Sequence, residues 1–288
     1  MIGKKELTKE RDFLNNLHSI METYEEIAAT RMTRVRSSVL ENRNFLLEIN
    51  SIFQQVKFSY KARISKLMKE KNISDPSRLT FIKHNDKTLY IFISANTGLY
   101  GGIIGKTFNI FADTVRKSPG DVVILGKLGL EMFNVSGIKA PLVYFEFPDN
   151  KIDEVMLKKI ADYIVKYENV LVFYEQFNSV VSQSPTVTNI SGDPLPWEKN
   201  QTNTRYFFEP SLEKIMEFFE KEIFASIFQQ IISESELAKF AVRMVSLDLA
   251  SENTKTKLKQ VILAKNRMKH QENNKKQLEK FASMKLWR

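Results

Sequence analysis

From Lys5 to Lys71 the chain has neither proline nor glycine, and its apolar residues recur every three or four positions. The stripe runs Leu14, Leu17, Met21, Tyr24, Ala28, Met32, Val35 and Val39, then Leu46, Ile49, Phe53, Val56, Tyr60, Ile64 and Leu67. Asn42 fills the one polar position within it. A seam with this spacing, held for so long, predicts a coiled-coil helix rather than a globular one. At 1.5 Å per residue such a helix would reach roughly 100 Å. Asn72 followed by Ser74, Asp75 and Pro76 predicts its stop.

The far end of the chain repeats the pattern. Pro210 and Ser211 read as a helix entry, and no proline or glycine follows. The seam passes through Leu212, Ile215, Phe219, Ile223, Ile227, Ile231, Ala238, Val242, Val245 and Leu249, then thins through Leu258, Ile262 and Met268. A lone helix of this length would expose too much apolar surface. The two are therefore expected to pair antiparallel, near Ala28 to Val39 against Val242 to Leu249.

Between them the pattern changes. Residues 88–94, 121–125, 142–147 and 169–174 read as strands, and 104–116 and 152–167 as helices. Alternation of this kind predicts a small, mostly parallel Rossmann-like sheet. A polar stretch with Pro185, Gly192, Pro194 and Pro196 closes it. The fold class is thus α/β with long helices, an antiparallel coiled coil carrying a central Rossmann-like domain. Residues 1–72 form the first shaft helix, 73–208 the α/β domain and 209–288 the second shaft helix.

Composition removes several classes of chemistry. There is no cysteine, so disulfides, thiolate metal sites and cysteine nucleophiles are excluded. The three histidines, His18, His84 and His270, have no ligand spacing, and no metal site is expected. No apolar run reaches the roughly 18 residues that span a bilayer. Met1 to Asp12 lacks the apolar core of a secretory signal, so a cytoplasmic protein is expected. From Lys255 onward there are eleven Lys or Arg against Glu272 and Glu279 alone, so the tail carries the whole net charge of +9. A solvated helix face accounts for such a run; so does a surface that meets an acidic partner.

One motif invites a nucleotide reading. Gly101 to Thr107 reads GGIIGKT after a strand and before a helix. A Walker A loop needs a glycine where Tyr100 stands, and counting from Gly101 leaves the loop one residue short. A tight strand-to-helix turn, with glycines for close packing, is the expected structure. No catalytic residue and no cofactor site are expected.

Four blocks, in order, resemble the γ subunits of F-type ATP synthases. Glu25 to Arg34 reads EEIAATRMTR, similar to the family's MxxVAASKMRK. Ser94 to Gly102 reads SANTGLYGG, similar to SDRGLCGG, and Ser182 to Thr186 reads SQSPT, similar to SQxPT. Ser235 to Asn253 resembles SExxxRMxAMxxAxxN, with a longer spacing between Glu236 and Arg243. The resemblance implies a non-catalytic rotor shaft that couples rotation to ATP synthesis or hydrolysis. It implies α and β subunits as partners, which hold the ATP and Mg²⁺, and also an ε subunit and a rotor ring or equivalent attachment, with no nucleic acid. It places the complex at the inner face of the cell membrane. It assigns Arg31, Met32, Arg34, Arg36, Arg243, Met244, Asn266, Arg267 and Lys269 to the face toward the β subunits. Gly98, Gly101 and Gly102 become the glycine turn of the foot domain.

The departures cluster at those contacts. Lys269 and His270 replace an Arg-Gln pair, Asn274 and Lys276 stand where Thr and Glu are usual, and Ser19 to Glu22 replaces a basic KITK. They leave open a γ-like shaft of a specialised F-type-like ATPase that drives motility in place of proton transport, a kind found in some wall-less bacteria. The basic tail leaves a third reading, a nucleic-acid-binding or scaffolding coiled coil, although base-stacking aromatics are absent from the tail before Phe281.

Overall fold

The structure, a computed structural model, describes residues 4–59, 82, 84–149, 154–190 and 212–285. In chain order its elements are α1 (Lys4–Ser59), β1 (Thr88–Ile93), α2 (Ile103–Lys117), β2 (Asp121–Leu125), α3 (Lys127–Val135), β3 (Leu142–Phe145), α4 (Glu154–Ile164), β4 (Asn169–Phe177), β5 (Gln183–Asn189) and α5 (Leu212–Lys285). They form two compact units. One holds the residues up to Thr30 and from Arg243 onward, the other Arg31 to Val242. The expected run of α1 to Lys71, its stop at Asn72 to Pro76, the Gly192 to Pro196 stretch and the Pro210 entry lie outside the described residues. So do the expected boundaries at 72/73 and 208/209.

The first unit is a pair of antiparallel helix ends. The Lys4 ammonium donates to Glu272 Oε2 at 2.8 Å, and Thr254 Oγ1 lies 3.7 Å from Met21 Sδ. Leu7, Leu14 and Val261 form the core, with Leu258 and Met268 against it. On α5 the sheltered positions include Leu247, Ser251, Thr254, Leu258, Val261, Lys265 and Met268, spaced alternately by four and three. On α1 they include Leu14, Leu17, Met21, Glu25 and Ala28. Three seam assignments are thereby corrected: Ile262 is 39% exposed and Val261 is the inward residue, and two others shift likewise. Tyr24 is 48% exposed and Glu25 is the inward residue; Leu249 is 64% exposed and Leu247 takes its place. The reason is chemical. Ser251 and Thr254 occupy true seam positions, and the Thr254 hydroxyl is satisfied by donating to Ala250 O at 2.8 Å. A small hydroxyl bonded to its own helix can be buried at little cost, but apolar periodicity does not register it.

The second unit is a sheet in the order β3-β2-β1-β4-β5, with helices on both faces. The first four strands run parallel, and β5 pairs antiparallel with β4. On β1, Leu89, Ile91 and Ile93 face one core with Ile160 and Ile164 of α4 and Phe228, Ile231 and Ile232 of α5. Tyr90 and Phe92 face the other, with Ile104, Phe108 and Phe111 of α2. A parallel strand covered on both sides must be apolar throughout, which is why these strands read as unbroken hydrophobic runs. Two elements were not foreseen. Helix α3 is short, and β5 carries Pro185, which an edge strand tolerates.

Helices α1 and α5 also pair antiparallel here. Ile49, Phe53 and Val56 pack against Met216 and Ile223. Arg31 lies over the Phe240 ring, 5.9 Å from its centroid. Asn42 Nδ2 donates to Ser233 Oγ at 3.4 Å, and Asn42 Oδ1 accepts from Gln229 Nε2 at 3.3 Å. The Val39 end of the expected window thus lies beside residues that precede Val242, because antiparallel helices of equal rise descend in step.

The corrected seam is testable by denaturant unfolding. Leu247→Ala should cost about 2–5 kcal/mol, the range for a buried leucine. Leu249→Ala should cost under about 0.5 kcal/mol, as an exposed change does. Equal losses would return the seam to Leu249.

Candidate functional site

Strand β1 delivers Ser94 and Ala95 to the C-terminal edge of the sheet, beside β4. In doubly wound sheets, ligands bind at this edge where the strand order reverses. Here the turn after β1 is held by protein groups. The backbone N–H groups of Asn96 and Thr97 each donate to the Asp149 carboxylate at 2.8 Å. Asn96 Nδ2 donates to Phe147 O at 2.6 Å, and Asn96 Oδ1 accepts from Lys127 N at 2.9 Å. Leu99 and Gly101 take positive φ, 69° and 55°, which reverses the chain into α2.

The glycine turn differs from expectation in one respect. A Cβ on Gly98, Gly102 or Gly105 would meet nothing within 4 Å, so close packing is not their purpose. Gly101 serves its φ, a left-handed conformation that favours glycine. The tight approach is made by Gly126, whose added Cβ would lie 2.7 Å from Ala95 N at a φ of +95°. The Walker-like residues also fall differently from a phosphate cradle. Tyr100 is buried at the first position, Lys106 is exposed, and the buried Thr107 hydroxyl donates to Ile103 O at 3.1 Å.

Behind the turn lies a group of buried ionisable side chains, Glu175, Glu236 and Lys239. The Lys239 ammonium on α5 donates to Ser94 O at 2.6 Å. One turn earlier, Ser235 Oγ donates to Glu175 Oε2 at 2.7 Å. Glu175 on β4 is wholly buried, and its Oε1 has no hydrogen-bond partner. Burial pushes its carboxyl up, against the opposing pull of Lys239 and Ser235. Glu236 lines a cavity of about 20 Å³ with Ser94, Tyr100, Asp149, Lys239 and Phe240. That is room for roughly one water, and both Glu236 Oε1 and Ser94 Oγ are unsatisfied there. Burial raises the Glu236 carboxyl to about 7; Lys239 and Arg31 pull it down and Asp149 pushes it up. The available signal was a charge inside an apolar run: Glu175 ends VLVFYE, and Lys239 interrupts LAKFAV.

The residues assigned to a partner face are divided between the units. Arg31, Met32, Arg34 and Arg36 belong to the second unit, with Arg34 and Arg36 exposed and Arg31 and Met32 half-buried. Arg243, Met244, Asn266, Arg267 and Lys269 belong to the first. Arg243 and Met244 are half-buried there, and the other three are exposed.

A family model described as ATP synthase matches residues 4–273. The chain belongs to the ATP synthase γ-chain family. It is 24% identical to the ATP synthase gamma chain of Halothermothrix orenii over 277 residues, covering 91% of each chain. With the gamma chain of Pelotomaculum thermopropionicum it shares 22% over 277 residues, 93% of each. In fold it is similar to a chain of the central stalk/c-ring structure of the Tetrahymena thermophila mitochondrial ATP synthase. The TM-score is 0.58 at 16% identity, over 81% of this chain and 99% of that one. The γ-type central-stalk role follows, and no finding favours a motility or nucleic-acid reading. The family match extends through residue 273, so much of the basic tail lies within the γ-chain length.

In this γ-family chain Glu236 should govern part of the pH dependence of stability. Its carboxyl goes from 4.5 unfolded to about 7 folded, so the folded state binds more protons between these values. Stability therefore falls as pH rises through that window. The slope amounts to about 3 kcal/mol. Glu236→Gln should flatten it, as read by denaturant unfolding at pH 5 and pH 8. An unchanged slope would mean that the carboxyl titrates normally.

Proposed function

We propose that this chain is a non-catalytic rotor shaft, turning within a ring of alternating α and β subunits that hold the ATP and Mg²⁺. The observation that carries the reading is the antiparallel pairing of two very long helices, α1 and α5, on a chain of the γ family. The sheet domain would carry an ε subunit and a rotor ring or an equivalent attachment. The complex would sit peripherally at the inner face of the membrane. Among the described residues no helix is long and apolar enough to cross a membrane.

Coupling needs contacts that differ between β-subunit states, because only differential contact shifts their populations. The basic residues Arg34, Arg36, Arg243, Arg267 and Lys269 are suited to acidic levers on β, with Arg31, Met32, Met244 and Asn266 beside them. Exposed ion pairs contribute only about 0–1 kcal/mol each. No single one would hold the complex together, but together they can favour one rotary angle over another. Arg243→Ala and Arg34→Ala/Arg36→Ala should leave the yield of the reconstituted complex unchanged and lower its coupled ATPase activity several-fold. Unchanged activity in both variants would return these residues to a solvated face.

The chain itself should bind no nucleotide. Tyr100 fills the place of the first P-loop glycine, and the Thr107 hydroxyl is engaged by Ile103 O. Calorimetry of the purified chain with Mg²⁺ and ATP should give no saturable heat. Binding that is lost in Lys106→Ala would reinstate a nucleotide site at Gly101 to Thr107.

A further inference from the structure

The second unit holds helix α5 against the sheet in two physically different ways. Phe228, Ile231 and Ile232 bury apolar surface against it. Such contact is non-directional: it presses a helix onto a sheet but resists rolling or sliding only weakly. One and two turns further on, Ser235 and Lys239 make directional bonds. Ser235 donates to Glu175 on β4, and Lys239 donates to the carbonyl of Ser94 at the end of β1. These are adjacent strands of the sheet, and both donors lie on one helix face, four residues apart. The helix is thus tied to two fixed points by bonds with strict distance and angle requirements, each involving a charged group.

Stability does not explain this arrangement. Apolar residues of similar volume would hold the same interface at least as well, because buried ions lose hydration that their partners barely restore. Angular definition does explain it. The acceptor is also rigidly placed. Ser94 is braced by Gly129, where an added Cβ would lie 2.8 Å from Ser94 Cβ, and the turn beyond it is anchored on Asp149. Lys239 is only 6% exposed there, and its charge opposes the upward push that burial gives the Glu175 and Glu236 carboxyls.

We propose that Lys239, bonded to Ser94 O beside the buried carboxyl groups of Glu175 and Glu236, is the positioning residue that locks α5 to the sheet and passes torque between shaft and foot. The proposal rests on the rotor reading above. It adds a particular place in the chain where a rotating helix would grip the domain that moves with it.

The test uses the full chain, alone and in the reconstituted complex with α and β subunits. Lys239→Met removes the cation beside two buried carboxyl groups and leaves Ser94 O without its donor, and its Tm should drop by roughly 10 °C. The paired variant Glu175→Gln/Lys239→Met removes the charge from both partners and should recover most of that loss, so that a folded protein is available. In the complex, a bead fixed to the foot at Asn178→Cys, an exposed position, reports rotation under load while ATP hydrolysis is followed in parallel. The paired variant should hydrolyse ATP within twofold of the unaltered chain, yet give at least twofold fewer revolutions per ATP under load. A Ser235→Ala variant should fall between. Equal revolutions per ATP in the paired variant would overturn the lock while leaving the rotor reading intact. If the unaltered chain neither assembles with α and β subunits nor turns the bead, the rotor reading fails, and the torque role fails with it.

Discussion

A helix as long as α1 or α5 cannot stand alone in water with an apolar seam along its length. Each residue of the seam left uncovered forfeits its burial, and isolated helices draw little stability from their own hydrogen bonds. The pairing of α1 with α5 is therefore the condition on which the remaining architecture depends. It requires the two helices to run antiparallel, because one precedes and the other follows a single compact sheet whose ends lie near each other. It also confines the sheet domain to the chain between them. The Rossmann-like unit is in this sense an insertion into a helical hairpin, closed on its own core and gripped on one face by α5.

Polar residues within these apolar surfaces specify geometry. Asn42 sits in the α1 stripe and exchanges hydrogen bonds with Ser233 and Gln229. An apolar seam alone tolerates a shift of one heptad, whereas an asparagine that must find its partners does not. Lys239, Ser235 and Glu175 act similarly between α5 and the sheet. In a protein whose work is mechanical, resistance to slippage matters more than total adhesion. Directional bonds inside greasy interfaces meet that requirement.

The candidate site is also instructive for what fills it. The edge where a doubly wound fold usually receives a ligand is taken up by a self-satisfied turn and by charged side chains of α5. A fold widely used for binding small molecules is here suited to holding a helix. The near-match to a phosphate loop belongs to the same turn. Its glycines permit a chain reversal at Gly101, and the hydroxyl that would meet a metal is bonded to its own helix.

By itself the sequence determined the plan of two long helices around a small, mostly parallel sheet. Heptad spacing, the absence of proline and glycine, and unbroken apolar strands are local properties that survive without knowledge of the partner. The family blocks were legible for the same reason. Only the tertiary structure decided the seam at Leu247, Ser251 and Thr254, since a hydroxyl becomes seam or surface according to what faces it. The same holds for β5, whose proline-bearing segment becomes a strand because the edge of β4 is open to it. It holds above all for the meeting of Lys239, Ser94 and Glu175, which are far apart in the chain. Their proximity follows from α5 returning across the sheet, a long-range fact to which no local pattern of residues corresponds.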